Sequence, residues 1–350
     1  AKLAEFKELL ERSRQEKVDF FYMISPGNDI KYTEGSEIKA LTDKLDQMIQ
    51  LGITHFGLLL DDIDYLLKDD VAIKFTNPGN AHAYLINQVN HYLKTQLSYY
   101  TLVACPTEYD NRYGSLYLEN LTENTDPEVI FFWPGPSTLA SEITTEDIER
   151  MAKVFKRPMI IWDNVPVNDY LDDKETIFLT PYENRSPQLG NPEYQVLGIV
   201  SNPMFQWELS TLTIDTMSDY LWLAEKYHPE ESLKHHLALR FGEEQVSSLL
   251  PLVESYPNYY MRGRLNGDLA VAIETNNQEE LTSYLEAVLS AHELFLANCH
   301  NEIMKQQFEP FVIRVKKDVE LWQAICQRDV ETIKELKVQL KESNQRVGLD

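Results

Sequence analysis

Two adjacent carboxylates, Asp61 and Asp62, directly follow a run of apolar residues in the segment HFGLLLDDIDY (55–65). At the end of a buried strand, such a pair can divide the work of acid and base that glycoside hydrolysis requires. The pair also has a structural interpretation, in which one carboxylate caps the next helix or accepts backbone N–H groups and the other is solvated. Neighbouring strand residues point to opposite faces, so both side chains reach one pocket only if the chain turns here. The residues that follow predict such a turn.

Six short apolar runs predict the β-strands that would position these carboxylates. Between the runs lie segments with apolar residues at helical spacing, and alternating strands and helices indicate parallel βαβ units. Strands that are apolar on both faces fit a fully covered parallel sheet. The runs span residues 18–25, 55–62, 100–107, 128–135, 157–164 and 194–202.

Polar residues collect at the carboxyl ends of these runs. In a (β/α)8 barrel the active site lies at that end of the strands, and an open doubly wound sheet binds its ligand there too. The sequence contains no GxGxxG and no GxxxxGK[ST] motif, which argues against a nucleotide-binding version of the open sheet. The polar and aromatic residues at these ends are Ser25, Asp61, Asp62, Thr107, Trp133, Asp163, Asn164 and Asn202.

The charge of the chain restricts its partners. Its 350 residues include 32 Lys+Arg and 56 Asp+Glu, which gives a formal net charge of -24. This excess argues against binding to nucleic acid or to an anionic membrane surface and favours a neutral ligand. No apolar run reaches the roughly 18–20 residues of a transmembrane helix. The first residues show the pattern of an amphipathic helix rather than of a signal peptide, so the cellular location stays open.

Cysteine and histidine predict neither a disulfide framework nor a metal site. Cys105, Cys299 and Cys326 are scattered, lack a CxxC neighbour, and are predicted to be buried hydrophobes. The eight histidines do not cluster with carboxylates at metal-ligand spacing. His235 and His236 are adjacent in a helical pattern and are predicted to lie on its surface.

From about residue 225 the strand pattern stops and long helical patterns follow, as in 277–304 and 314–327. Their apolar residues at spacings of three and four predict the core of a bundle rather than a groove for a partner. We therefore predict two domains, a catalytic (β/α) barrel over 1–225 and an α-helical bundle over 226–350.

Six motifs resemble the pattern of glycoside hydrolase family 84, the β-N-acetylglucosaminidases that include protein O-GlcNAcases. They occur in the order found in the family and cover residues 18 to about 225. The resemblance implies a (β/α)8 catalytic barrel, a following helical domain, and no metal or organic cofactor. The motifs are ISPGNDI (24–30), LLLDDID (58–64), CPTEY (105–109), WPGP (133–136), IIWDNVPVNDY (160–170) and SNPM (201–204).

The resemblance also implies substrate-assisted catalysis with retention, in which the N-acetyl carbonyl oxygen of the sugar attacks C1 and forms an oxazoline. By position in the motif, Asp61 resembles the carboxylate that accepts the acetamide N–H and polarises this nucleophile. Asp62 resembles the general acid, later base, that protonates the leaving oxygen. Two adjacent carboxylates resist ionising together, which would raise the pKa of one of them towards that of a useful acid. For Asp64 we expect a cap or turn role.

Five further residues match substrate-binding positions of the family. Tyr109 resembles the tyrosine whose hydroxyl faces the acetamide group, and Trp162 resembles a wall of the acetamide pocket that excludes water. Asn164, Asp169 and Asn202 resemble groups that hydrogen-bond the sugar, with Asp169 assigned to the 4- and 6-hydroxyls. Without the resemblance, a lone Tyr at a strand end predicts packing, and the polar run after Trp162 predicts a turn.

Two features depart from the pattern of the family. Only six of eight barrel strands are visible, and the segments that carry the first two would precede residue 1. Those segments normally supply a glycine backbone contact and a lysine to the sugar hydroxyls. We therefore expect either a second chain with the missing N-terminal barrel strands or a longer natural protein. The smaller departure is Pro134, where the family usually has Thr.

Two functions stay open on these grounds. The first is an exo-acting enzyme that removes β-linked GlcNAc from glycoproteins or glycans. The second is a carbohydrate-binding or assembly subunit that is inactive until a second polypeptide completes the barrel. The sequence does not distinguish between a glycoprotein, a glycan end and a hyaluronan fragment as the natural substrate.

Overall fold

The computed structural model describes residues 2–67, 69–110, 113–170, 175–262 and 267–347. Within these ranges six strands form one parallel sheet, and their order in the sheet follows the sequence from β1 to β6. An open doubly wound sheet would instead reverse its strand order at a switch point. The sheet is therefore a half-barrel of the (β/α)8 type, as the six strand patterns predict.

The strands are shorter than the apolar runs that predicted them, because the polar residues at the end of each run lie beyond the strand. Consecutive strands pair in parallel, and Met23 of the first lies opposite Gly57 of the second. The strands are β1 (Phe21–Ile24), β2 (His55–Leu59), β3 (Thr101–Cys105), β4 (Ile130–Trp133), β5 (Met159–Asp163) and β6 (Val196–Ser201).

Helices alternate with the strands and begin at local capping signals. The side chain of Asn77 accepts the N–H of Gly79 at the start of one helix, and Thr144 and Asp147 form a capping box at another. The helices of this region are α1 (Lys2–Glu16), α2 (Gly35–Ile49), α3 (Asp69–Phe75), α4 (Pro78–Gln96), α5 (Leu116–Asn124) and α6 (Thr145–Phe155).

Side chains of the sheet alternate between two faces. One face is packed by helices, as where Phe131 of β4 meets Phe155 of α6 edge to face. The other, which we call the inner face, has little room at β2, since a Cβ on Gly57 would collide with the sulfur of Met23. The inner face is built from Val103, Cys105 and Phe132, with Phe21, Met23, Leu59, Tyr109, Ile130, Ile160 and Trp162 packed against them.

Long helices dominate the rest of the chain and bury a common apolar core. The apolar residues predicted as a bundle core are indeed buried, among them Val288 and Phe295 of one helix and Phe308 and Val315 of the next. The helices are α7 (Trp207–Leu223), α8 (Pro229–Phe241), α9 (Val246–Glu254), α10 (Tyr259–Arg262), α11 (Gly267–Glu274), α12 (Gln278–Asn298), α13 (Glu302–Gln327) and α14 (Val330–Glu342).

The predictions for the three cysteines and for the adjacent histidines were each wrong in part. Cys105 and Cys299 are buried as predicted, but Cys326 is exposed, because it lies on the solvent side near the end of α13. His235 is exposed as predicted, whereas His236 is half-buried, with its Nε2 3.0 Å from Oδ2 of Asp219 on α7.

No helix among the described residues has the length and apolar content needed to cross a membrane.

The chain divides into two compact units. Unit 1 contains β1 to β5, most of β6 and helices α1 to α6, and unit 2 contains helices α7 to α14 and the segment that follows β5. The predicted boundary near residue 225 stays a prediction. Unit 1 spans 1–138, 143–163 and 189–200, and unit 2 spans 139–142, 164–188 and 201–350.

Candidate active site

The chain turns directly after β2. The N–H of Leu60 still donates to the carbonyl of Cys105 over 2.9 Å, and the carbonyl of Leu60 accepts the N–H of Ile63 over 3.4 Å. Asp61 and Asp62 therefore occupy the two central positions of a four-residue turn. The turn predicted for this segment is confirmed. We call residues 60–64 the carboxylate turn.

The two carboxylates of this turn have different surroundings. Asp61 is half-buried and Asp62 is exposed. Burial raises the pKa of Asp61, its own backbone N–H lowers it, and the charge of Asp62 raises it further. The raised pKa therefore belongs to Asp61, the residue that the resemblance assigns to the acetamide N–H.

Tyr109 and Cys105 lie within electrostatic range of Asp61. Burial raises the pKa of Tyr109 to about 12, with the charges of Asp61 and Asp110 adding to the shift and a hydrogen bond with Thr138 opposing it. The phenol therefore keeps its proton at neutral pH and can donate a hydrogen bond. Burial raises the pKa of the Cys105 thiol, and the negative charges of the nearby carboxylates raise it further, so the thiol stays neutral.

Trp162 lies on the inner face, where its ring meets that of Phe132 edge to face at a centroid distance of 5.1 Å. Tyr109 packs against the same inner-face cluster. Asp163, the next residue of β5, is only 1% exposed and lies on the opposite face. Unit 1 thus brings Tyr109 and Trp162 to the inner face and Asp61 close to Tyr109.

In unit 2, Asn164 and Asn202 form a hydrogen-bonded pair. Nδ2 of Asn202 donates to Oδ1 of Asn164 over 3.0 Å, and Asn164 is 7% exposed. The hydroxyl of Tyr260, on α10, donates to the carbonyl of Asn164 over 2.5 Å. Asp169, further along the same segment, is exposed and is not part of this pair. Two residues that were singled out separately are therefore in direct contact.

The structure also brings to this site two residues to which the sequence assigned no specific role, although Thr107 is among the polar residues at the carboxyl ends of the strands. The side chains of Asn28 and Thr107, which follow β1 and β3, bond the backbone of the carboxylate turn. Two signals in the sequence pointed to them, namely their position after strands adjacent to β2 and their place in the motifs ISPGNDI and CPTEY. Over the described ranges, no group of three or more His, Cys, Asp or Glu side chains could hold a metal ion.

Comparison with known proteins finds a matching family and, among other relatives, two proteins from rodents. The family model for β-N-acetylglucosaminidases matches residues 1–254. The protein O-GlcNAcases of Mus musculus and Rattus norvegicus are each 34% identical to this chain over 218 residues. The match covers 61% of this chain and 23% of each relative, so the chain spans about a quarter of their length.

Among solved structures, a variant of the O-GlcNAc hydrolase of Thermobaculum terrenum is similar in fold. Its TM-score is 0.79 at 22% sequence identity, and the match covers 99% of this chain and 80% of the other. The similarity agrees with the predicted fold, a (β/α)8-type barrel followed by a helical region.

Proposed function

This chain belongs to glycoside hydrolase family 84, the β-N-acetylglucosaminidases, and we propose that it removes β-linked GlcNAc from glycoproteins or glycans. The carboxylate turn carries this proposal, because it holds two neighbouring carboxylates in different environments beside a protonated tyrosine. We further propose an exo-acting, retaining and substrate-assisted reaction.

In this reaction Asp61 accepts the N–H of the acetamide group of the sugar and polarises its carbonyl oxygen, which attacks C1. Asp62 donates a proton to the leaving oxygen as the bond from C1 breaks, and an oxazoline forms as the acetamide N–H proton passes to Asp61. Asp62 then removes a proton from water as the water attacks C1, Asp61 returns its proton to the nitrogen, and the acetamide group is restored with overall retention. The sugar supplies the nucleophile, so the carboxylate separation that distinguishes ordinary retaining from inverting enzymes does not apply.

The environment of each carboxylate supports its proposed role. Half-burial of Asp61 strengthens its interaction with the positive charge that develops on the acetamide. Half-burial also raises the pKa of Asp61, but a hydrogen bond from the acetamide N–H of the bound sugar favours the ionised carboxylate. Asp62 is exposed, so it can exchange protons with water between turnovers. Tyr109 can donate its O–H to the acetamide group, and Trp162 can serve as an apolar wall that excludes water from the forming oxazoline.

We also propose that Asn164, Asp169 and Asn202 hydrogen-bond the sugar, with Asp169 on the 4- and 6-hydroxyls. The contact between Asn164 and Asn202 supports a common role for these two residues, since each limits the rotamers of the other. Asp169 is exposed and therefore accessible to a hydroxyl donor.

The substrate-assisted reaction is tested with the nucleophile and with Asp61. Progressive fluorination of the N-acetyl group weakens the carbonyl nucleophile and should slow the enzyme steeply. Asp61→Asn should cost a few kcal/mol even with excellent leaving groups, because asparagine carries no charge to stabilise the developing cation. Indifference to fluorination, or a covalent sugar–aspartate adduct found by mass spectrometry, would contradict the mechanism.

A second candidate function rests on the edges of the sheet. In the part of the chain that the structure describes, β1 and β6 each have one strand neighbour, whereas a closed barrel of this type has eight strands. We propose as the alternative that a second chain supplies the strands that complete the barrel, and that this chain alone binds carbohydrate without turnover. A fully active 40.7 kDa monomer on size-exclusion chromatography would exclude this alternative.

A further inference from the structure

The carboxylate turn is held by side chains from the segments that follow the two strands flanking β2. Within unit 1 the pairing order is β1, β2, β3, so the segments after β1 and β3 lie on either side of the turn. Thr107 follows β3 and contacts the start of the turn, and Asn28 follows β1 and contacts its end. We propose that Thr107 and Asn28 are positioning residues, which orient Asp61 and Asp62 by holding the backbone of the carboxylate turn.

Thr107 holds the peptide that precedes Asp61. Its hydroxyl donates to the carbonyl of Leu60 over 2.6 Å, which is a short and therefore well-formed hydrogen bond. Leu60 is completely buried and its N–H is bonded to the carbonyl of Cys105, so both polar groups of this residue have fixed partners. Rotation of the peptide between Leu60 and Asp61 would break the bond with Thr107.

Thr107 is itself held from inside the fold. Its backbone N–H donates to the hydroxyl of Tyr117 over 3.0 Å, and this hydroxyl lies 2.9 Å from Nδ1 of His82. The side chains of Tyr117 and His82 are both fully buried. Burial lowers the pKa of His82 to about 4, so its ring is neutral at neutral pH and one nitrogen is free to accept the phenol proton. The contact between His82 and Tyr117, at the inner end of this chain of bonds, is thus shielded from water.

Asn28 holds the other end of the turn with both atoms of its amide. Its Nδ2 donates to the carbonyl of Asp62 over 3.3 Å, and its Oδ1 accepts the N–H of Asp64 over 2.5 Å. The preceding residue, Gly27, has a φ of +81°, a backbone conformation that glycine adopts without strain. Asn28 therefore bridges the two peptides that follow the general acid in the proposed reaction.

Such a role follows from the physics of the turn. Asp62 is exposed, so packing does not restrict its side chain, and the direction of the carboxylate depends on the backbone that carries it. A reacting group that is displaced by about 1 Å can lose on the order of 100-fold in rate. Loosening the turn should therefore lower kcat more than it changes KM.

The inference rests on the proposed function, and it is tested by two pairs of matched variants. Thr107→Val removes the hydroxyl and keeps the shape, whereas Thr107→Ser keeps the hydroxyl. Asn28→Ala removes both amide contacts, whereas Asp29→Ala truncates an exposed neighbour. With β-GlcNAc substrates whose leaving groups are poor and need a proton to depart, Thr107→Val and Asn28→Ala should each lower kcat roughly 10- to 100-fold with KM within about threefold. Thr107→Ser and Asp29→Ala should stay within about threefold of the native enzyme.

A second readout does not depend on turnover. Hydrogen–deuterium exchange at the amides of residues 60–64 should quicken in Thr107→Val and Asn28→Ala, and should not change in the two control variants. If the native protein does not hydrolyse any β-GlcNAc substrate, the proposed function fails and the exchange rates alone decide the inference. Equal loss in Thr107→Ser and Thr107→Val, an effect on KM alone, or unchanged exchange would overturn it.

Discussion

Unit 1 and unit 2 hold their candidate site residues in different ways. In unit 1 the hydrogen bonds from Thr107 and Asn28 end on backbone atoms of the carboxylate turn, and the carboxylates keep access to solvent. In unit 2 the side chain of Asn202 bonds the side chain of Asn164, which is buried. Full burial would disfavour the charged form of a carboxylate, whereas a neutral amide can be buried when its hydrogen bonds are made.

The comparison indicates how the two units should respond to substitution. Groups that move protons or stabilise charge are expected to affect kcat, because their contribution grows in the transition state. Neutral groups that only hydrogen-bond the sugar are expected to affect KM and, because they are buried, the stability of the fold. Three predictions test this difference, and a fourth concerns a feature that both units share.

The largest expected effect is that of Asp62→Asn in unit 1. Loss of the proposed general acid should lower turnover by about 10²–10⁴ on substrates with poor leaving groups, which need a proton to depart. An activated aryl glycoside leaves without a proton, so its turnover should fall far less. Steady-state kinetics over a series of leaving groups measures the difference. An equal loss across the series would indicate misfolding or a different acid.

The second prediction concerns a feature that the units share, a buried histidine with a tyrosine partner. Burial lowers the pKa of both His82 in unit 1 and His292 in unit 2 from 6.5 to about 4. Between pH 6.5 and pH 4 the unfolded chain therefore binds protons that the folded chain does not. As pH falls through this window, each histidine should lower the free energy of unfolding by roughly 3 kcal/mol. Above pH 6.5 neither histidine should affect the pH dependence of stability.

Urea unfolding between pH 7 and pH 4 measures this effect. His292→Asn should reduce the pH slope of the unfolding free energy by about 1.4 kcal/mol per pH unit within that window, the value for one proton. His91→Gln serves as the control, because His91 is a histidine that is exposed to solvent. A slope that is the same in the native protein and in His292→Asn would contradict the prediction.

The third prediction sharpens the contrast in unit 2. Asn202→Ala removes the amide that donates a hydrogen bond to Oδ1 of Asn164. Because this acceptor is buried, its loss of a partner should destabilise the fold by about 1–2 kcal/mol. If the pair binds the sugar, KM should rise by more than kcat falls. Thermal unfolding and steady-state kinetics check the two parts. A fall in kcat at constant KM would show that Asn202 acts on the chemical step, as Asp61 and Asp62 are expected to do. The proposed difference between the two units would then be wrong.

The smallest expected effect is that of Tyr260→Phe. The change removes the hydroxyl that donates to the carbonyl of Asn164 and keeps the ring that packs against Tyr170 and Phe178. A single neutral hydrogen bond contributes about 1 kcal/mol, so unfolding should shift by no more than that and kcat should not change. A loss of kcat larger than tenfold would show that α10 contributes to the chemistry.

Much of the fold was predictable because the signals are local. Periods of 2 and 3.6 residues predict strands and helices from neighbours in sequence, and α4 buries Ala83, Ile86, Val89 and Leu93 as its pattern indicates. The turn at Asp61 and Asp62 was predictable for the same reason. A single cysteine such as Cys326 carries no such period, so its exposure was not predictable.

The sequence by itself determined the order of strands and helices, the position of two carboxylates after β2 and the amides after β5 and β6. Only the tertiary structure decided what holds these residues. Asn28 reaches the backbone of Asp64 from 36 positions away in the chain, and Tyr260 reaches Asn164 from 96. Contacts of this kind depend on strand order and on the packing of separate elements. The raised pKa of Asp61 was likewise decided by the tertiary structure. It results from burial, and the depth of a residue below the surface depends on the whole fold and not on its neighbours in sequence.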